Sequence, residues 1–231
     1  MSVGIRKVAI EGRCLRLAGW GGDFLFIFIV MKKLTAKFYD RPDVLVIARE
    51  LLGKIIVTRF DGELTTARIV ETEAYKGVVD KASHAYGGRR TQRTEVMFGT
   101  PGNAYVYLCY GIHYLFNIVT NKKDIPEAVL IRAAEPLEGI ETMLKRTGKM
   151  KADFTLTKGP GNVSKALGID KAHTGASLYS DEFYLAEDGY VPAEVVATPR
   201  IGVDYAGADA LLNYRFVVKG NKYVSGKKIG Q

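Results

Sequence analysis

Residues 68–77, RIVETEAYKG, set two acids and a phenol, Glu71, Glu73 and Tyr75, at alternate positions of a run with strand character. Strand alternation puts all three on one face. Carboxylates at i and i+2 stand roughly 7 Å apart and point the same way, so they cannot flank a sugar bond as an opposed pair of acids does. The spacing suits one working acid with a structural neighbour, although a strand glutamate more often serves as a solvated group or an ion-pair partner. Arg132 stands in the otherwise apolar run AVLIRAA. A guanidinium buried there needs an anionic partner or a water to hold.

A second constellation is aromatic. The stretch NAYVYLCYGIHYLFNIV, residues 103–119, places Tyr105, Tyr107, Tyr110, Tyr114 and Phe116 within twelve positions of a chain that is only 10% aromatic. On a strand Tyr105 and Tyr107 share one face, with Val106 and Leu108 on the other. Gly111 falls where the alternation breaks and is the natural turn residue, so Tyr110 projects from a hairpin tip. The rings are either cross-strand pairs that stabilise the sheet, or a stacking surface for a planar ligand with a tip ring able to wedge between base pairs. A strict two-residue turn would set Tyr107 opposite Tyr114 and turn Asn117 away. For Asn117 to join Tyr107 in one pocket, the hairpin needs a three-residue turn or a bulge.

The elements that must position these groups are those of one domain. At 231 residues and 47% hydrophobic composition the chain has material for a real core. Its net charge of +8 points to a polyanionic partner, nucleic acid ahead of an anionic membrane. Cys14 and Cys109 lie in unrelated contexts and form neither a disulfide framework nor a metal site, which suits a reducing compartment. His84, His113 and His173 show no short zinc spacing, and the zinc pattern of base deaminases is missing. The apolar run Phe24 to Met31 is too short to span a bilayer and no cleavage site follows it. Because Met31 opens a natural-looking start, residues 1–30 are expected to be a dispensable extension, the alternative being an edge strand at Phe24–Val30.

Further along, Asp40 is expected to cap a helix over RPDVLVIARELLG that Gly53 stops. The runs KIIVTRF and ELTTARIVETEAY flank Asp61-Gly62 as a hairpin. Residues 76–102 form a long functional loop. After the tyrosine hairpin come a strand at AVLIRAA and a helix opening at Pro136 with Leu137, Ile140, Met143 and Leu144 inward. A short helix at KGPGNVSKALGI and a last hairpin at RFVVKGNKYVS close the chain. The expected fold class is α+β: a single compact domain, residues 31–231, around a curved, mainly antiparallel sheet with a protruding hairpin and flanking helices.

Taken together, RIVETEAYKG, ASHAYGGRRTQRTEVMFGTPGNAYVYLCYGIHYLFNIV, AVLIRAAEPLEG and PRIGVDYAG resemble the alkyladenine, or 3-methyladenine, DNA glycosylase family, in the family's order and spacing from about Leu34 to the C-terminus. The resemblance implies a compact mixed α/β domain without a helix-hairpin-helix. It also implies that Glu73 activates a water, that Arg132 and a backbone carbonyl near Ile201 help hold that water, and that Tyr75, His84 and Tyr107 stack around a flipped base. Tyr110 would be the wedge that fills the vacated duplex, and Asn117 would crowd the 2-amino group of normal guanine. His113 stands where some members carry another aromatic, and Asn162 where a basic residue is common.

The chemistry implied is hydrolysis of an N-glycosidic bond. Extruding a nucleotide from a duplex costs a few kcal/mol, offset by the wedge and by phosphate contacts for which Arg89, Arg90 and Arg93 are candidates. N3- or N7-alkylated purines are cationic, so the faces of Tyr75 and Tyr107 should favour them by about 1–2 kcal/mol. His84 is expected to be the one neutral-pH titrating group of the pocket. With no nucleophilic lysine, the enzyme would be monofunctional, leave an abasic site and need neither metal nor redox cofactor. The partner would be double-stranded DNA containing damaged purines, bound by a monomer away from membranes. That places it in the nucleoid-bearing cytoplasm of a prokaryote or the nucleus of a eukaryote. The alternatives are a non-catalytic module that stacks exposed bases and a hydrolase of small nucleosides.

Overall fold

The computed structural model describes residues 7–9 and 28–226. Strands β1 (Lys7–Ala9) and β2 (Phe28–Val30) pair in parallel as a separate two-stranded sheet, so part of the apolar run is strand; the rest of the leading segment lies outside the described residues. After β3 (Lys32–Lys33) come two short helices, α1 (Ala36–Tyr39) and α2 (Val44–Glu50). Asp43, not Asp40, caps α2, its carboxylate accepting the N–H groups of Leu45 and Val46 at 2.9 and 3.3 Å. Asp40 instead ends α1, because Pro42 separates the two turns.

Strands β4 (Ile55–Phe60) and β5 (Glu63–Tyr75) form the hairpin closed by Asp61 and Gly62, both at positive φ. Residues 76–102 hold three short 3-10 turns. They lead into β6 (Ala104–Cys109) and β7 (His113–Thr120), then β8 (Glu127–Glu138) and α3 (Ile140–Thr147). Pro136 lies inside β8 rather than opening a helix. It sits at a register shift against Ala67, where a missing N–H leaves no ladder bond unmade. The turn falls at Gly139, φ 72°, where a Cβ would run into the Leu64 carbonyl. Of the four residues expected inward only Met143 is fully buried, and Leu137 and Ile140 are exposed.

Helix α4 (Pro160–Leu167), β9 (Phe183–Glu187), β10 (Val195–Thr198) and β11 (Arg215–Val218) complete the domain. The last hairpin does not form. Both edges of β11 are taken, one by β5 and one by β10, so residues 221–225 find no strand to pair with and return instead to Glu71. Nine strands thus make one sheet in which every pairing is antiparallel, an α+β architecture.

The sheet's two faces do different work. Phe116, Ile118, Val129 and Ile131 point to one face and join Val44, Ile47, Val163 and Leu167 of α2 and α4 in the main core. Their sequence neighbours point to the other. A single cross-strand row there runs Tyr105, Asn117, Leu130, Glu73, Arg215 over five strands. The 76–102 loop and the segment around Ile201 cover that face, and the cavity lies between them and the sheet.

Candidate active site

The hairpin turn settles the register. Cys109 pairs with His113, which leaves Tyr110, Gly111 and Ile112 as a three-residue turn with Tyr110 and Gly111 at positive φ. Tyr105 therefore faces Asn117 across the ladder, and Asn117 shares a face with Tyr107. The ring of Tyr110, at the tip, is 88% exposed. The far side of the hairpin end is braced by His113, which packs so closely on α4 that a Cβ at Gly161 would meet its ring at 2.7 Å.

Beside the hairpin opens a cavity of about 570 Å³, within the range of pockets that enclose small organic ligands. Tyr75, His84, Tyr107, Asn117, Arg132 and Ile201 all line it, as do Arg93 and the exposed Tyr110. Tyr105, Tyr107 and His84 pack on one another: the His84 ring stands edge-on to Tyr107 at 4.6 Å, and the two tyrosines lie tilted at 5.4 Å. Asn117 is nearly buried, and its Nδ2 donates to the carbonyls of Tyr105 and Leu115 at 3.1 and 3.2 Å. Tied at both donors, the amide cannot swing away from the cavity.

Glu73 is wholly buried and stands one layer behind the wall, held by three groups that themselves line the cavity. The Tyr75 hydroxyl donates to Oε2 at 2.8 Å, the Ile201 N–H donates to Oε1 at 2.8 Å, and Arg132 Nη1 lies 3.3 Å from Oε1. At Ile201 the observed partner of Glu73 is thus the N–H. With two hydrogen bonds and one ion pair against a capacity of about four, Glu73 keeps acceptor capacity free. Burial and then the Glu73 charge hold the Tyr75 phenol well above its usual pKa, so it remains a donor.

Arg132 reaches this carboxylate because of a bulge. Ala133 pairs with Glu71 and Ile131 with Thr72, so Arg132 is the extra residue of β8, and its guanidinium turns to the acid face. Burial opposes its charge, but Glu73 and Glu71 outweigh burial and raise its pKa. Its Nε donates to Glu71 at 3.1 Å. Glu71 is further held by Arg215 Nε at 2.6 Å and by the N–H and hydroxyl of Ser225 at 2.6 and 2.9 Å.

His84 differs from expectation. Its pKa is pushed down to about 4, first by burial and then by the charges of Arg93 and Arg89, so it is neutral at pH 7 and does not titrate there. Arg93 Nη2 approaches Nε2 at 3.3 Å, and because an arginine can only donate, Nε2 carries the lone pair. Nδ1 then bears the proton and donates to the Tyr105 hydroxyl at 2.8 Å. The Arg93 guanidinium also lies 5.0 Å from the centre of the Tyr107 ring.

Among the basic candidates, Arg89 and Arg93 line an adjoining cleft of about 460 Å³ with Lys81 and Tyr205. Arg90 lines neither space. It is paired with Glu95 at 2.6 Å and Asp124 at 2.9 Å and covers the Phe98 ring, so its charge is already met. The expected site missed Tyr205, which is 71% exposed at the mouth of both cavities with its hydroxyl donating to the Ala82 carbonyl. It also missed Arg200 and Asp80, buried behind Tyr75; Arg200 stands within PRIGVDYAG, whereas Asp80 falls between RIVETEAYKG and ASHAYGG and carried no signal. Among the described residues no three His, Cys, Asp or Glu side chains converge as a metal-binding set.

Residues 37–222 match the family model described as methylpurine-DNA glycosylase. A relative from Desulfitobacterium hafniense (strain Y51) is 47% identical over 204 residues, covering 85% of this chain and all of its own length. One from Alkaliphilus oremlandii (strain OhILAs) is 48% identical over 202 residues, 84% of this chain and all of its own. A third, from Methanocella arvoryzae, is 47% identical over 200 residues, 87% and 99% respectively. All three carry the provisional name 3-methyladenine DNA glycosylase. With the family match spanning strands β4 to β11 and both covering loops, around a buried carboxylate behind an aromatic cavity, the chain belongs to the methylpurine-DNA glycosylase family.

Proposed function

We propose that the chain excises alkylated purines from double-stranded DNA as a monofunctional glycosylase, drawing the damaged nucleotide out of the helix and leaving an abasic site. Tyr110 enters the duplex at the vacated position, and Arg89 and Arg93 meet phosphates. The base lies against Tyr75, His84 and Tyr107. A cationic purine gains from the phenol faces and meets no charge on the neutral His84, while Arg93, 5.0 Å from the centre of the Tyr107 ring, opposes it until a phosphate draws that guanidinium away.

Water is then activated by Glu73. A free acceptor position there takes a water proton as the water oxygen bonds to C1′, while the bond between C1′ and the purine nitrogen breaks and its electron pair leaves with the base. An alkylated cationic base departs neutral and needs no acid. The carboxylate also stabilises positive charge developing at C1′. Asn117, clamped to its own hairpin, restricts room for an exocyclic amine. The enzyme works where the chromosome is, as a monomer.

The observation that carries this reading is a fully buried Glu73 with unused acceptor capacity, gripped by three cavity-lining groups. A stacking module without chemistry has no use for it. Release of free purine from alkylated duplex DNA by the purified chain is the test, with Glu73→Gln as control; no release, or equal release by the variant, refutes the proposal.

A further inference from the structure

Directly behind Tyr75 lies an ion pair that touches none of the cavity. Arg200 is only 6% exposed, and its guanidinium forks onto Asp80, Nη1 to Oδ2 at 2.5 Å and Nη2 to Oδ1 at 2.8 Å. Nη1 also donates to the Ala74 carbonyl at 2.9 Å, the peptide between Glu73 and Tyr75. The guanidinium carbon lies 4.9 Å from the centre of the Tyr75 ring and 5.2 Å from that of Tyr214. Asp80 in turn accepts the N–H groups of Lys76 and Ala82, both at 3.0 Å, and so ties down the loop that carries His84. The residue that follows Arg200 is Ile201, whose N–H holds Glu73.

A buried pair of this kind contributes little net stability compared with apolar residues of the same shape. Its geometry is what the site uses. One planar cation braces the ring of Tyr75 from behind, grips the main chain between Glu73 and Tyr75, and fixes by covalent adjacency the peptide N–H that aims the carboxylate.

We propose that Arg200, clamped by Asp80, is a positioning residue for base release, acting through Tyr75 and the Ile201 N–H to hold Glu73 in line with the cavity. The inference rests on the reading of Glu73 given above. A lysine could keep the charge but neither the fork nor the flat stack.

The test is single-turnover purine release from a lesion duplex, read beside duplex Kd and thermal melting, for Arg200→Lys and for the uncharged pair Arg200→Met with Asp80→Asn. Both are expected to bind the duplex within about threefold of the unmodified chain and to release base about 10- to 100-fold more slowly, the scale of a catalytic group displaced by an ångström. Combining Arg200→Lys with Tyr75→Phe should cost less than the product of the two losses, because both act on the same carboxylate. Release within about threefold of normal in a folded variant, losses in release and binding that run in parallel, or multiplicative losses with Tyr75→Phe would overturn the inference. Absence of release by the unmodified chain would instead sink the reading of the site itself, and this inference with it.

Discussion

Glu71 and Glu73 share one guanidinium: Arg132 donates from Nε to Glu71 at 3.1 Å and sets Nη1 3.3 Å from Glu73. Their circumstances otherwise differ. Glu71 meets four donors, Arg132, Arg215 and the Ser225 hydroxyl on Oε1 and the Ser225 N–H on Oε2, which tie it to β8, β11 and the chain beyond. Glu73 accepts two hydrogen bonds, from Tyr75 and Ile201, beside the ion pair with Arg132. Two acids on one strand face are thus divided into a four-donor anchor and a group whose partners all line the cavity.

Glu73→Gln keeps the shape and the Ile201 contact, and the Tyr75 hydroxyl can turn to accept from the new amide. Lesion-duplex affinity is expected to persist while base release falls about 10²- to 10⁴-fold, the usual worth of a general base. Gel-shift binding beside single-turnover release measures both, and near-normal release would remove Glu73 from its role.

Glu71→Gln should act on stability instead. It strands the buried charge of Arg215 and loosens Arg132, at about 3 kcal/mol or more. Urea unfolding reads the loss; an unchanged midpoint would contradict the anchoring role.

Tyr110→Ala removes an exposed ring that packs on nothing in the free protein, so melting should not move. Affinity for a lesion duplex is expected to drop by about 1–3 kcal/mol, the range of base–aromatic stacking, with binding of an isolated modified base hardly changed. Equal losses on both ligands would argue against a wedge.

Asn117→Ser would release the amide's grip on the Tyr105 and Leu115 carbonyls and open space beside the base. Increased liberation of guanine from undamaged duplex DNA is the expected outcome, quantified by chromatography of free bases. No increase would assign the discrimination elsewhere.

The depressed pKa of His84 has a signed consequence for the free protein. The unfolded imidazole takes its proton near 6.5 and the folded one only near 4. Stability linked to His84 is therefore present above about pH 6.5 and is lost as pH falls towards 4. Melting temperature followed from pH 7 to 4 should fall less steeply in His84→Asn than in the unmodified chain; parallel curves would show that this imidazole does not carry the effect.

Much of this molecule could be read from local pattern. Alternation alone put Glu71, Glu73 and Tyr75 on one face and Tyr105 with Tyr107 on another, because a side-chain period of two is a property of the strand itself. The Asp61-Gly62 turn was legible for a similar reason, positive φ being a local preference. Local pattern misled where long-range pairing overrode it. Pro136 reads as a helix start until Ala67 claims it at a bulge, and Lys219 to Ser225 reads as a returning strand until β5 and β10 occupy both edges of β11.

Residue types and their alternation determined which groups could do chemistry and that they would face one way. Only the tertiary structure decided which acid is the anchor, since that depends on Arg215 and Ser225 arriving from 144 and 154 residues away. It also decided the charge of His84 and brought Arg200 behind Tyr75. Burial and the distances between charges are set by the packing of remote segments, and no spacing along the chain encodes them.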